Sequence, residues 1–236
     1  MLLLRETHEV MGARESQFEA MMRDEWMPSV ARGDDARLLY YLNLAVGSGR
    51  SYQVITYTLF RDGAAWGRLV DRVNSGDLKS LCEKLDGARH DVQGKHYVPL
   101  PWSPLQEIAL EDVPFQPQDH ELSLFMEDTV WPHRGRLEEY VKRVGEHYAV
   151  EFDAQRTKRR QLLEIQAGFR TAYGSHQRRE IILWQKVMNP EALVGLLTRE
   201  IPEKFKQPGL WMIDGLEVRD QWQSQLLRTS HWSPRS

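Results

Sequence analysis

One stretch of this chain alternates so as to set polar groups at every second position of a strand. In residues 163–170 one parity holds Leu163, Ile165, Ala167 and Phe169, and the other holds Glu164, Gln166, Gly168 and Arg170. A carboxylate, an amide and a guanidinium on one face suit a cavity that binds an anionic group and moves a proton. Shifted by 127 positions, the polar set falls on Arg37, Leu39, Tyr41 and Asn43. Arg170 is the expected anchor for an anion, and Tyr41 or Glu164 the expected proton carrier, because burial beside apolar walls raises a carboxyl pKa. Asn43 and Gln166 add hydrogen-bonding groups. Tyr57 and Trp184 coincide under the same shift. Matched aromatics of this kind are either core packing or walls for a flat organic ligand. A buried network that only sets register, or plain exposure at strand ends, accounts for the polar parity equally well.

Other chemistries find little support. The eight histidines include no pair at i, i+4 on a clear helix, and there is no His-Glu-x-x-His, so no metal site is expected. The single Cys82 excludes an internal disulfide and fits a reducing compartment, the cytoplasm being the default. Gly47-Ser48-Gly49 leads into a strand instead of a helix N-terminus, so it is a turn and not a phosphate loop. The basic run Arg156–Arg160 reads as a solvated loop, since a net charge of −3 gives no general attraction for nucleic acid. Met1–Leu4 is too short an apolar run for a signal peptide, and no stretch approaches a membrane span.

The elements that must position these residues come in two rounds. Ala45-Val46-Gly47-Ser48 returns as Ala172-Tyr173-Gly174-Ser175, and Trp102-Ser103-Pro104 returns as Trp232-Ser233-Pro234, at offsets of 127 and 130. Around the first pair, Leu2–Val10 reads as a strand and Ala13–Ala31 as a helix kinked or ended by Pro28. A hairpin of Arg37–Val46 and Tyr52–Arg61 follows, then a helical region from Ala64 to about Asp91 and a short strand Lys95–Leu100. Residues 107–120 read as a linker across the surface. The order then restarts with strand Leu122–Val130, helix Arg134–Ala149, a hairpin of Gln161–Tyr173 and Glu180–Met188, a helix from Pro190, a helical piece near Leu216–Trp222 and strand Ser224–His231.

Each round spells β-α-β-β-α-β, a ferredoxin-like unit with helices on one sheet face. The bare face must be buried, and the second copy is the natural cover. The expected fold is therefore α+β: repeats 1–106 and 121–236 packed sheet to sheet as an intramolecular α+β barrel. The chain would be a monomer with pseudo-twofold symmetry, or a homodimer through its outer surfaces.

The closing segment Pro99-Leu100-Pro101-Trp102-Ser103-Pro104, the opening Leu4-Arg5-Glu6-Thr7, and Ile182-Leu183-Trp184 with Asn189-Pro190-Glu191-Ala192 resemble the NIPSNAP-like family. The second copy departs at Met126, which aligns with Arg5, and Arg5 joins the ligand-binding candidates on that asymmetry. The resemblance implies the dimeric α+β barrel superfamily, which hosts cofactor-free monooxygenases, cyclases, haem enzymes and proteins without known activity; fold alone does not choose among them. Some haem-binding relatives place an axial histidine near the position of His90, which a solvated helix-end histidine explains as well. Two functions are carried forward. One is a small-molecule enzyme or binder using a lumen between the sheets, its reaction not given by the sequence, with cofactor-independent oxygenase or cyclase chemistry as the candidates the resemblance offers. The other is a non-catalytic interaction protein that uses exposed helical residues such as Trp26, Trp66 or Trp211.

Overall fold

A computed structural model describes residues 1–149, 162–174 and 179–236. Its strands are β1 Leu2–Val10, β2 Ala36–Leu44, β3 Gln53–Phe60, β4 Arg89–Pro99, β5 Leu124–Pro132, β6 Leu163–Tyr173, β7 Ile181–Val187 and β8 Arg219–Thr229. All pairings are antiparallel, and the strands close into one barrel in the order β1-β3-β2-β8-β5-β7-β6-β4. Within each half this is the 4-1-3-2 order of a ferredoxin-like unit. The halves meet along two hydrogen-bonded seams, β2 with β8 and β4 with β6. The barrel therefore leaves no open edge, as closure requires.

The repeated motifs sit on those seams and hairpins. Gly47 and Gly174 have φ of 86° and 90°, the left-handed conformation that glycine adopts at no cost. Ser103 Oγ accepts from the Gly168 amide of β6 at 3.0 Å, and Ser233 Oγ accepts from the Tyr41 amide of β2 at 3.1 Å. Each Trp-Ser-Pro thus clasps the second strand of the other copy. Trp102 packs on Gly168, where a Cβ would come within 2.8 Å of its ring, and Trp232 lies 4.8 Å from the Tyr41 ring.

The outer layer over the first sheet is a helical run, α1 (Glu15–Met21) and α2 (Met27–Ala31), with α3 (Gly63–Asn74) and α4 (Lys79–Asp86). Pro28 neither ends nor breaks this run. A π-helical turn at Met22–Trp26 precedes it and absorbs the missing amide hydrogen bond. Over the second sheet lie α5 (Leu137–Arg143), a second π-helical turn at Val144–Ala149, α6 (Pro190–Thr198) and α7 (Trp211–Asp214). Asp62 caps α3 and Asn189 caps α6, with Pro190 in the first turn. The last strands of both copies are longer than the sequence pattern suggests. Their polar residues at 89–94 and 219–224 are on half-wet faces, and a strand there shows no apolar alternation.

Four core clusters result among the described residues. One packs the first helical layer on its sheet, one fills the barrel with side chains from both halves, one lies under the second helical layer, and a small one joins Met126, Leu163, Val187 and Leu193. Residues 107–120 do not simply cross the surface. Leu110 and Val113 are buried in the barrel core, with Leu105 and Ile108 packed against it. An open barrel end exposes apolar side chains, and this segment covers them. Among the described residues no helix is long and apolar enough to cross a membrane.

Candidate functional site

Strand alternation decides what faces the lumen, and two β-bulges reset it. Pairing shifts by one residue between Leu38 and Tyr40 and between Ile165 and Ala167. A bulge flips every side chain beyond it to the other face. Ala167 and Phe169 therefore enter the barrel core, and the expected parity fails. Arg170 points outward and pairs with Glu138 of α5 at 3.2 Å. Tyr41 lies under the first helical layer, and its buried hydroxyl has no partner. Asn43 donates to Ser230 Oγ at 3.0 Å on the same outer side. Gln166 occupies the bulge, and Glu164 lies across from Lys186 near one barrel end. These five do not form one site. Ser175 and His176 of the second hairpin turn, and the basic run Arg156–Arg160, lie outside the described residues.

Arg5, Tyr57 and Trp184 do meet inside the barrel, around a residue the sequence pattern missed. Arg5 donates to both oxygens of Glu127, Nη2 to Oε1 at 2.6 Å and Nε to Oε2 at 3.1 Å, and Nη1 donates to Thr7 Oγ1 at 2.7 Å. Tyr57 OH donates to Glu127 Oε2 at 2.5 Å, and Glu127 is fully buried. Burial opposes the charge on Arg5, but Glu127 outweighs it and holds the guanidinium above its ordinary pKa. Register corrects the alignment of Arg5 with Met126. Arg5 sits across from Tyr57, and Glu127 sits across from Trp184, so Glu127 is the counterpart of Arg5. The two equivalent positions meet as a bidentate ion pair, which two identical subunits could not build.

A second buried carboxylate, Glu180, accepts from Tyr97 OH, from Lys95 Nζ at 3.0 and 3.1 Å, and from Trp131 Nε1 at 3.1 Å. Burial and the adjacent carboxylates push the Tyr57 and Tyr97 phenols far up, so neither serves as a base near neutral pH. The rest of the lumen is filled by an aromatic cluster and aliphatic side chains such as Leu3, Leu39, Ile55 and Ile182. Trp184 stacks on Phe125 at 4.6 Å and lies 5.4–5.5 Å from Tyr57 and Tyr40. A void of about 10 Å³ remains beside Trp184, whose Nε1 has no partner. That is space for one water at most. Bidentate and multiply bonded carboxylates in a filled core set register and specificity.

The other face of β1 is hollow. Between β1, β4 and the first helical layer runs a cleft of about 270 Å³, near the lower end of the range for small-molecule sites. The π-helical turn presents Met22 and Trp26 to it, α3 presents Trp66, Leu69, Val70 and Val73, and α4 presents Cys82, Leu85 and Asp86. Its sheet-side floor is Leu4, Glu6 and His8, with Arg89 at one side.

The polar groups of the floor differ sharply in their bonding. Arg89 Nη1 lies 2.7 Å from His8 Nδ1, and His8 Nε2 lies 3.0 Å from Thr56 Oγ1. A guanidinium only donates, so Nδ1 accepts and Nε2 carries the proton toward Thr56. Burial, and then the charge of Arg89, pushes His8 down to about 3, so the ring is neutral. Arg89 also donates to Asp86 Oδ1 through Nε at 3.0 Å and through Nη2 at 2.5 Å. Burial raises the Cys82 thiol to about 11, so it is no nucleophile. Glu6 stands apart, with no hydrogen-bond or ion-pair partner among the described residues. Burial raises its pKa, and only the charge of Arg89 opposes the shift. Gly94 lies across from it on β4, where a Cβ would come within 3.2 Å of Leu4 Cδ1.

His90 is exposed at the start of β4 and does not line the cleft. The imidazole that does, His8, has both nitrogens engaged. His8 therefore has no free nitrogen for an axial bond to a haem in this cleft. Among the described residues no three His, Cys, Asp or Glu side chains are grouped to hold a metal ion.

No protein-family model matches this sequence, and no curated protein matches it. Solved structures do resemble the fold. An anthrone oxidase-like protein is similar over 98% of this chain and 91% of its own, with a TM-score of 0.58 and 10% identity. A protein of Lactobacillus acidophilus NCFM provisionally called a monooxygenase is similar over 98% and 97%, with a TM-score of 0.55 and 7% identity. A NIPSNAP domain protein from Burkholderia xenovorans is similar over 44% of this chain and 99% of its own, with a TM-score of 0.36 and 14% identity. At these identities the likeness establishes the dimeric α+β barrel fold and nothing finer.

Proposed function

We propose that this protein binds a small organic molecule in the cleft between the first sheet and its helices, and not in the barrel lumen. The observation that carries this reading is Glu6, a half-buried carboxyl without a partner among the described residues, on the floor of a cavity of about 270 Å³. Buried polar groups are ordinarily bonded, and one left open in a cleft marks a ligand position. A reaction at this site would use Glu6 as the proton carrier, since His8 and Arg89 are spent on each other. The oxidase-like and monooxygenase names of the structural neighbours support a flat organic substrate.

Native mass spectrometry of the purified chain tests the reading. A co-purified small molecule is expected in the wild type and absent from Val70→Trp, which fills the cleft. A molecule retained in Val70→Trp, or none in the wild type, contradicts it.

A second reading, an interaction protein, has its own observation. Val194, Leu196 and Leu197 of α6, with Ile201 and Phe205 beyond it, are 40–63% exposed. The helices of the first copy expose no large apolar side chain. Trp26 is buried and Trp66 and Trp211 are half-buried, so the tryptophans do not make this surface. A patch of that kind marks a contact surface. Leu197→Glu would then change the oligomeric state or partner retention measured by light scattering and pull-down.

A further inference from the structure

We propose that the ligand of the cleft carries a protonated nitrogen close to an aromatic ring, held by the Glu6 carboxylate against the indole faces of Trp26 and Trp66. This rests on the reading of the cleft as the binding site, and it adds the chemical class. Four other ionisable groups face the cleft with Glu6. His8 is neutral, Cys82 is protonated, and Arg89 and Asp86 are bonded to each other. Arg89 and Asp86 cancel in charge, so Glu6 is the uncompensated group and it has no donor. An anionic ligand would meet two carboxylates and a guanidinium already committed. A neutral ligand would leave the carboxyl half-satisfied in a buried place, which costs free energy. A cation supplies the donor and the charge together, and ionises Glu6 against the upward shift that burial imposes.

The walls agree with this. Trp26 Nε1 is sealed from the cleft and has no partner, so the indole offers its ring and not its N–H. Trp66 lines the opposite side from α3, its ring fixed against Phe60 at 5.6 Å and His96 at 4.5 Å. Indole faces attract cations more strongly than other side-chain rings do. Met22 and Leu69 complete an apolar surround that suits one ring of the ligand.

Calorimetric titration of the full chain near neutral pH with three probes of one skeleton tests the class: 2-phenylethylammonium, 2-phenylethanol and phenylacetate. The ammonium should bind at least about tenfold more tightly than the alcohol, and phenylacetate should give no heat. Glu6→Gln should reduce the ammonium to the affinity of the alcohol, while Glu83→Gln, an exposed carboxylate of α4 outside the cleft, should keep the preference. Equal binding of ammonium and alcohol, or a preference that survives Glu6→Gln or disappears in Glu83→Gln, overturns the proposal. Binding of the alcohol in those cases leaves the cleft itself standing. No heat from any probe overturns the proposal and, together with an empty native mass spectrum, the cleft reading too.

Discussion

The two faces of β1 hold two kinds of polar interior. On the lumen side Arg5 is locked to Glu127 and Thr7, the space around them is filled, and every buried charge is paired. On the outer side, one residue along, Glu6 faces a cleft with no partner among the described residues. The more elaborate network is the structural one, and the function is better sought where bonding is incomplete. The same contrast recurs between the copies. Lys95 and Glu180 of one seam correspond to Gln225 and Gln53 of the other, a charged pair against two amides 3.5 Å apart. Equivalent positions thus serve the same joint with different chemistry.

The contrast is broken most severely at Glu127. Glu127→Ala strands the Arg5 guanidinium in the core and should cost about 3–5 kcal/mol by urea denaturation. Replacing both partners by Met should recover most of that loss, because the pair sets register more than it adds stability. A small effect of Glu127→Ala would mean the lumen is wetter and less decided than described. The acid limb comes next. The His8 pKa is lowered to about 3 in the folded state from an ordinary 6.5, so the unfolded chain binds the extra proton between those values. The His8 contribution is then complete above about pH 6.5 and falls away toward pH 3, by up to about 1.4 kcal/mol per pH unit. Unfolding of His8→Asn followed against pH should show that slope flattened.

Smaller effects sharpen the comparison. Gln53→Glu with Gln225→Lys installs the first seam's charged pair in the second and should change stability by less than about 1 kcal/mol. A larger gain would show that the seams are not equivalent. Smallest, and opposite in sign, is Glu6→Leu, which removes a half-buried carboxyl without a partner among the described residues and should stabilise by about 0.5–1 kcal/mol while abolishing ammonium binding. A destabilised Glu6→Leu chain would assign Glu6 a structural role.

Much of the fold was legible because it rests on pattern. Gly47 and Gly174 of the two Ala-x-Gly-Ser motifs take positive φ at hairpin turns, and the two Trp-Ser-Pro motifs fall at the seam clasps, so these recurring motifs mark the barrel's joints. The site was less legible, for a definite reason. Simple alternation fails at Leu39 and Gln166, where bulges reverse it and turn Arg170 and Asn43 outward. Arg5, Tyr57 and Trp184 meet in the lumen because no bulge interrupts β1, β3 or β7 beside them, but they meet in a filled core and not around a ligand space. One signal in the sequence could have led further. Leu4-Arg5-Glu6-Thr7-His8 is polar on both faces of a strand that must be buried on both, and Glu127-Asp128 repeats this in the second copy. Such a strand needs partners on each side, and Glu6 is the member that finds none. The cleft itself depends on where a π-helical turn holds Trp26, which no sequence period reveals.

The central claim is that ligands enter the outer cleft while the lumen stays closed. The indole N–H region of a ¹H–¹⁵N spectrum of the labelled chain, titrated with 2-phenylethylammonium, tests it directly. Saturable shifts at Trp26 and Trp66, with Trp184 unmoved, are the expected result. Shifts led by Trp184, or no shift at Trp26 and Trp66, would contradict it.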